Sequence, residues 1–203
     1  YAPRDGRVIQ NKSVALTAAT AAKAELEIRN DWVVGNRARK MLDETTTVAV
    51  TEREGAYVLD FAFTLSALVE YQINRQSFSG FNFQARKDGQ SEYTSSAGIV
   101  KLRDAYYSTP ELNWPPAPWY GYQITLANGK TVGAAVVDHP ANPPSTWHQS
   151  RGLWMLNPNI AAIAPYTIHV GSPLVLRYRV VVHDGPTPTA AVDKLAAEFR
   201  GGK

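Results

Sequence analysis

The sequence predicts an all-β fold, an antiparallel β-sandwich carrying a single helix near its C-terminal end. Three observations predict it. From Ala56 to Leu68 the residues alternate, with Tyr57, Leu59, Phe61, Phe63 and Leu65 on one face and Val58, Asp60, Ala62 and Thr64 on the other. Asn128-Gly129 separates two β-rich runs and marks a hairpin, expected as a type I′ turn with positive φ at both central residues. Before residue 189 no stretch sustains a 3.6-residue apolar period, so strands succeed one another through turns, the connectivity of antiparallel sheets.

Taken in order, strands are expected at Arg7–Gln10, Ala24–Val34, Thr45–Glu52, Ala56–Leu68, Ser77–Ala85, Tyr120–Leu126, Lys130–Val137 and Pro173–His183, each β-branched or aromatic and bounded by turn residues. Leu16–Leu26 is alanine-rich but reads as strand and turn, because charged and β-branched residues follow without a helix C-cap. Thr189–Arg200 reads as the helix, with Thr189 as N-cap, Val192, Leu195, Ala196 and Phe199 on one face, and Gly201 beyond its end. Two loops, Ser108–Pro118 and His139–Asn159, carry four prolines each, which restrict the backbone and suit a preformed site.

At 203 residues and 44% hydrophobic content, the chain supports one domain that buries roughly 70% of its unfolded surface. Its 21 basic and 18 acidic residues give a net charge of +3, and the basic residues are scattered singly, so nucleic acid is not expected as a partner. The absence of cysteine excludes disulfides, thiolate metal sites and a cysteine nucleophile. No apolar run reaches the ~18 residues that span a bilayer, so a soluble chain is expected, without a membrane partner and with a periplasmic or secreted location favoured over a cytoplasmic one.

The candidate chemistry sits where apolar strands run into loops. Asp138, His139, Asn142, Trp147, His148 and Arg151 follow one strand, and His183-Asp184-Gly185 ends another. His148 is the expected base or acid, since histidine titrates near neutrality, with His139 or Glu92 as its complement and Arg151 as orienting cation. Trp114 and Trp147, inside the proline loops, are expected as exposed platforms for the C–H face of a sugar. Arg86, Asn142, His183 and Asp184 are candidates for its hydroxyls. The bland alternatives are turn-capping for Asp138, His139 and His183-Asp184, and a solvated hairpin end for Arg86 and Glu92.

The segments GFNFQARKDG (Gly80–Gly89), VVDHPANPPSTWH (Val136–His148), LNP (Leu156–Pro158) and RYRVVVHDG (Arg177–Gly185) resemble, in this order, the C-terminal two-thirds of a bacterial family of unknown function whose members are often labelled "methane oxygenase PmoA". That label belongs to an integral membrane protein, and this chain has no such span. The resemblance implies a sandwich similar to the galactose-mutarotase-like supersandwich, in a setting of sugar breakdown. It also implies an upstream segment with a His-His-His-Arg-Gly-like motif, absent here, so a missing segment or a homo-oligomer is expected to cover open strand edges. Three functions follow as expectations: acid–base chemistry on a sugar or sugar derivative, a non-catalytic carbohydrate-binding module, and, ranked last, a divalent-metal enzyme using His139, His148, His183 and an aspartate. The ligand is a small molecule or glycan, and no cofactor is expected beyond that metal alternative.

Overall fold

Runs of apolar residues at Trp119–Leu126, Thr131–Asp138 and Leu174–Asp184 give the central strands two faces to bury, and the structure covers both. It is a computed structural model that describes residues 6–35, 39–101, 103, 113–149 and 151–202. A meander of four antiparallel strands comes first: β1 (Val8–Ala19), β2 (Lys23–Val34), β3 (Arg39–Arg53) and β4 (Ala56–Ala67). Two short strands follow, β5 (Tyr71–Ile73) and β6 (Phe83–Gln84). A second group contains β7 (Gly89–Ser95), β8 (Gly98–Ile99), β9 (Trp119–Leu126) and β10 (Thr131–Asp138). After short strands β11 (Thr146–Trp147), β12 (Met155–Leu156), β13 (Pro158–Asn159) and β14 (Tyr166–Ile168), strand β15 (Leu174–Asp184) runs between β4 and β10. The nine-stranded sheet therefore has the order β1-β2-β3-β4-β15-β10-β9-β7-β8, and helix α1 (Thr189–Gly201) ends the fold.

One face of the sheet, bearing Ala56, Val58, Trp119, Ala135, Val137 and Val181, packs against Val192, Leu195 and Ala196 of α1. The other face bears Tyr93, Tyr120, Tyr122, Ala134, Val136 and Val180, continuing into Leu65, Leu174, Leu176 and Tyr178. Three two-stranded ladders, β11–β13, β12–β6 and β14–β5, and the loops around them form the second layer there. The expected class, all-β and antiparallel with one C-terminal helix, is the class observed.

Four local expectations need correction. Ser77–Ala85 is strand only at Phe83–Gln84, because its backbone carbonyls at Ser79 and Phe81 accept from the Asn157 side chain instead of a neighbouring strand. Gly89–Ser95, read as a hairpin end, is a sheet strand paired to β9. In the Asn128-Gly129 hairpin only Gly129 takes a positive φ, and its N–H bonds Leu126 O at 2.9 Å, so the loop is a three-residue one rather than type I′. Thr189 is not the N-cap: Pro188 holds that position, with no side-chain capping bond.

Candidate functional site

The residues expected to share one site are distributed over both faces of the sheet. Trp114 and Trp147 are buried, joined by reciprocal backbone hydrogen bonds of 2.9 and 3.1 Å, with the Tyr120 ring 5.1 and 5.0 Å from theirs. They are core residues, so the platform expectation is corrected: the proline loops fold down onto the sheet and drive their aromatic rings into it. His148 is 2% exposed, its N–H bonds Asn157 O, its ring meets Phe78 edge-on, and its Nδ1 lies 3.2 Å from Asn113 Oδ1. Burial pushes its pKa below the ordinary histidine range.

His139 lies on the helix side, its ring 5.1 Å from that of Phe199 in α1. Its Nδ1 accepts the Ala141 N–H at 3.1 Å, and burial, then the Arg177 charge, lowers its pKa. The expected convergence of His139 and His148 on one concave surface is therefore corrected, since they pack on partners from opposite sides of the sheet. Asn142 clamps the backbone: it donates to Asp138 Oδ1 and Arg177 O and accepts the Arg177 N–H, all at 2.7 Å. Ser145 donates to the other Asp138 oxygen, and burial raises the Asp138 pKa despite these donors. With Arg200 and five prolines these groups line a recess of about 290 Å³.

His183 is buried at the sheet end beside Gly133, where an added Cβ would come within 2.8 Å of its ring; its Nδ1 is 3.2 Å from Gly185 O, and burial lowers its pKa. Asp184 is exposed. Glu92 accepts from Gln123 on the helix face, whereas Arg86 forks onto Asp88 and lines a small recess on the other face, so they are not a pair. Arg151 begins a single 3₁₀ turn, and its side chain lies outside the described residues. Among the described residues no three His, Cys, Asp or Glu side chains gather as metal ligands, which leaves the histidine-metal alternative without a cluster.

A different constellation forms on the face opposite α1, over β2, β3, β4 and β15. Register places Asn30, Trp32, Glu44, Thr46, Phe63 and Leu65 on this one face, since Asn30 pairs with Glu44, Trp32 with Leu42, Thr46 with Phe63 and Glu44 with Leu65. Glu44 stands where Leu42 and Val48 predict an apolar side chain. It is 9% exposed and accepts from Trp32 Nε1 at 2.6 Å, Thr46 Oγ1 at 2.8 Å and Asn30 Nδ2 at 2.9 Å. Its oxygens meet three neutral donors and no cation among the described residues.

Glu44 lines an inner recess of about 300 Å³ with Trp32, Phe63, Phe81 and Tyr178. Beyond Trp32 opens an outer recess of about 710 Å³, reached by Tyr71, Asn74, Gln76 and Ser79. The Tyr178 and Ser79 hydroxyls are buried and form no hydrogen bond of ordinary geometry with the described groups. Burial, reinforced by the Asp138 charge, drives the Tyr178 pKa far above the ordinary phenol range, so it stays protonated. None of these residues was singled out from the sequence. The available signal was an acid in phase with Leu42 and Val48, on a strand expected to begin only at Thr45.

No curated protein matches the sequence. Among solved structures, the chain is similar to one from Klebsiella pneumoniae described as a "putative aldose 1-epimerase", with a TM-score of 0.39 and 14% identity over 91% of this chain. The chain spans 57% of that structure's length. Among the described residues no helix is long and apolar enough to cross a membrane. A family model matches residues 2–197, nearly the whole chain, and by that match the protein belongs to a family of unknown function, DUF6807.

Proposed function

We propose that the protein binds a sugar or sugar-derived polyol in the cleft over β2, β3, β4 and β15. The observation that carries this reading is Glu44: a buried carboxylate fixed by three neutral donors on the floor of an aromatic-lined recess. Burying a carboxylate is costly, and the three donors offset that cost while holding its oxygens in place as acceptors. Aromatic walls beside a fixed acceptor match a pyranose, whose C–H faces are apolar and whose hydroxyls donate. The inner recess is at the lower end of the volumes typical of small-molecule sites.

Acid–base chemistry on the bound sugar is the second reading, favoured by one observation: Glu44 and Tyr178 line the same recess. Binding ranks first because Tyr178, held protonated, is a hydrogen-bond donor at neutral pH and a poor source of protons. The histidine-based form of that chemistry draws no support from rings packed on opposite sides of the sheet.

The test is a glycan array followed by calorimetry with the wild type and Glu44→Gln. Saccharide binding that weakens at least tenfold in the variant supports the reading. Equal binding by both proteins, or no binding to any saccharide, overturns it. Turnover of a bound saccharide by the wild type promotes the second reading.

A further inference from the structure

We infer that the cleft contains two subsites in series and takes a ligand of at least two linked sugar rings, an inference that rests on the sugar-binding reading and specifies it. The inner recess of about 300 Å³ and the outer recess of about 710 Å³ share three wall residues, Trp32, Ile73 and Gly80, so they are adjoining chambers of one cleft. Trp32 is the fixed partition between them. Its Nε1 is tied to Glu44 at 2.6 Å, and the Tyr71 ring meets its indole edge-on at 6.3 Å and 83°.

Gly80 sits at the junction with a φ of +86°, where an added Cβ would lie 2.7 Å from Pro158 O and 3.5 Å from the Tyr178 hydroxyl. Bare backbone at that position leaves the junction free of a side chain. Each chamber also has its own polar wall groups, the Glu44 carboxylate in the inner one and the exposed amides of Asn74 and Gln76 in the outer one. One ring in the inner chamber reaches only Glu44. Meeting the Asn74 and Gln76 amides as well, which supply donors and acceptors, requires a second ring beyond Trp32.

The experiment is titration calorimetry on the full chain with glucose, galactose, cellobiose, maltose and lactose, using the wild type, the double variant Asn74→Ala with Gln76→Ala, and Glu44→Gln. At least one disaccharide is expected to bind about tenfold or more tightly than its component monosaccharides. The double variant should remove most of that gain, and Glu44→Gln should weaken monosaccharide and disaccharide alike. If a monosaccharide binds but no disaccharide binds more tightly, or the double variant leaves the disaccharide gain intact, the two-subsite inference is overturned and the sugar-binding reading stands. If no saccharide of either length binds the folded wild type, that reading falls and takes this inference with it.

Discussion

The two faces of the sheet are built to different rules. Under α1 the polar groups are paired: Arg179 forks onto Asp60 at 2.6 and 2.7 Å, donates to Leu195 O and covers the Phe199 ring, while Trp119 Nε1 donates to Asp193. On the opposite face and in the layer above it, Ser79, Tyr178, Trp147, Gln149 and Asn157 each keep a buried polar atom without a hydrogen bond among the described groups, whereas on the helix side His183 Nε2, at the end of the sheet, is the one such atom among the described residues. A regular helix meets a regular sheet with its own hydrogen bonds already made, so only side chains need matching. Irregular loops must bring polar backbone and side chains inward, and that is where a ligand's hydroxyls find use. The helix face stabilises the fold, and the other face trades some stability for recognition.

The largest expected effect comes from opening the helix face. Leu195→Ala, at a fully buried position, should destabilise by about 3 kcal/mol in urea unfolding and leave saccharide affinity unchanged. A loss below about 1 kcal/mol would mean that α1 is weakly docked. Glu44→Gln turns one acceptor into a donor facing Trp32 and Asn30, and should cost about 2 kcal/mol while removing ligand binding. If stability drops and binding does not, Glu44 belongs with the structural groups and the contrast between the faces fails.

Acid pH should act on both faces. Burial lowers the pKa of His139, His148 and His183, so in each case the folded state favours the neutral ring. Their contribution is fully present above the unfolded histidine value of ~6.5 and is lost as the pH falls toward the lower folded values. Asp138 has the opposite sign, because its raised pKa adds stability at acid pH that is lost as pH rises through its folded value. The histidines outnumber it, so unfolding midpoints should decline between pH 7 and pH 5. A flat profile there would show that these rings protonate freely in the folded protein. The smallest effect is expected at the helix surface: Lys194→Ala breaks an exposed pair with Glu54 and should leave both unfolding midpoint and binding at wild-type values.

The long strands were legible from their apolar patterning, although β9, β10 and β15 are covered on both faces. β4, β9, β10 and β15 alternate or run apolar, and α1 carries its Val192, Leu195, Ala196 stripe. What escaped was the layer whose hydrogen bonds are made by side chains: Asn157, Asn159 and Asn142 hold loop carbonyls or N–H groups that no periodicity announces. The site was misplaced for the same reason. Tryptophans and histidines in proline loops look exposed until the loop is known to fold onto the sheet, as Trp114, Trp147 and His148 do. Glu44 escaped because the adjacent acids Asp43 and Glu44 at the head of a threonine-rich run read as surface, and only the register with Leu65 and Asn30 turns Glu44 inward.

The position of β15 has a consequence for the order in which the molecule can be made. Its left neighbour, β4, ends at Ala67, its right neighbour, β10, at Asp138, and among the described residues the sheet joins these two through β15. During synthesis, the β1–β4 meander and the β7–β10 group can each form from neighbouring segments as they leave the ribosome. They remain two separate half-sheets, each with an apolar flank, until residues 174–184 emerge and pair with both. Because Tyr178 on that strand also lines the inner recess, the binding cleft comes into being in the same late step that closes the sheet.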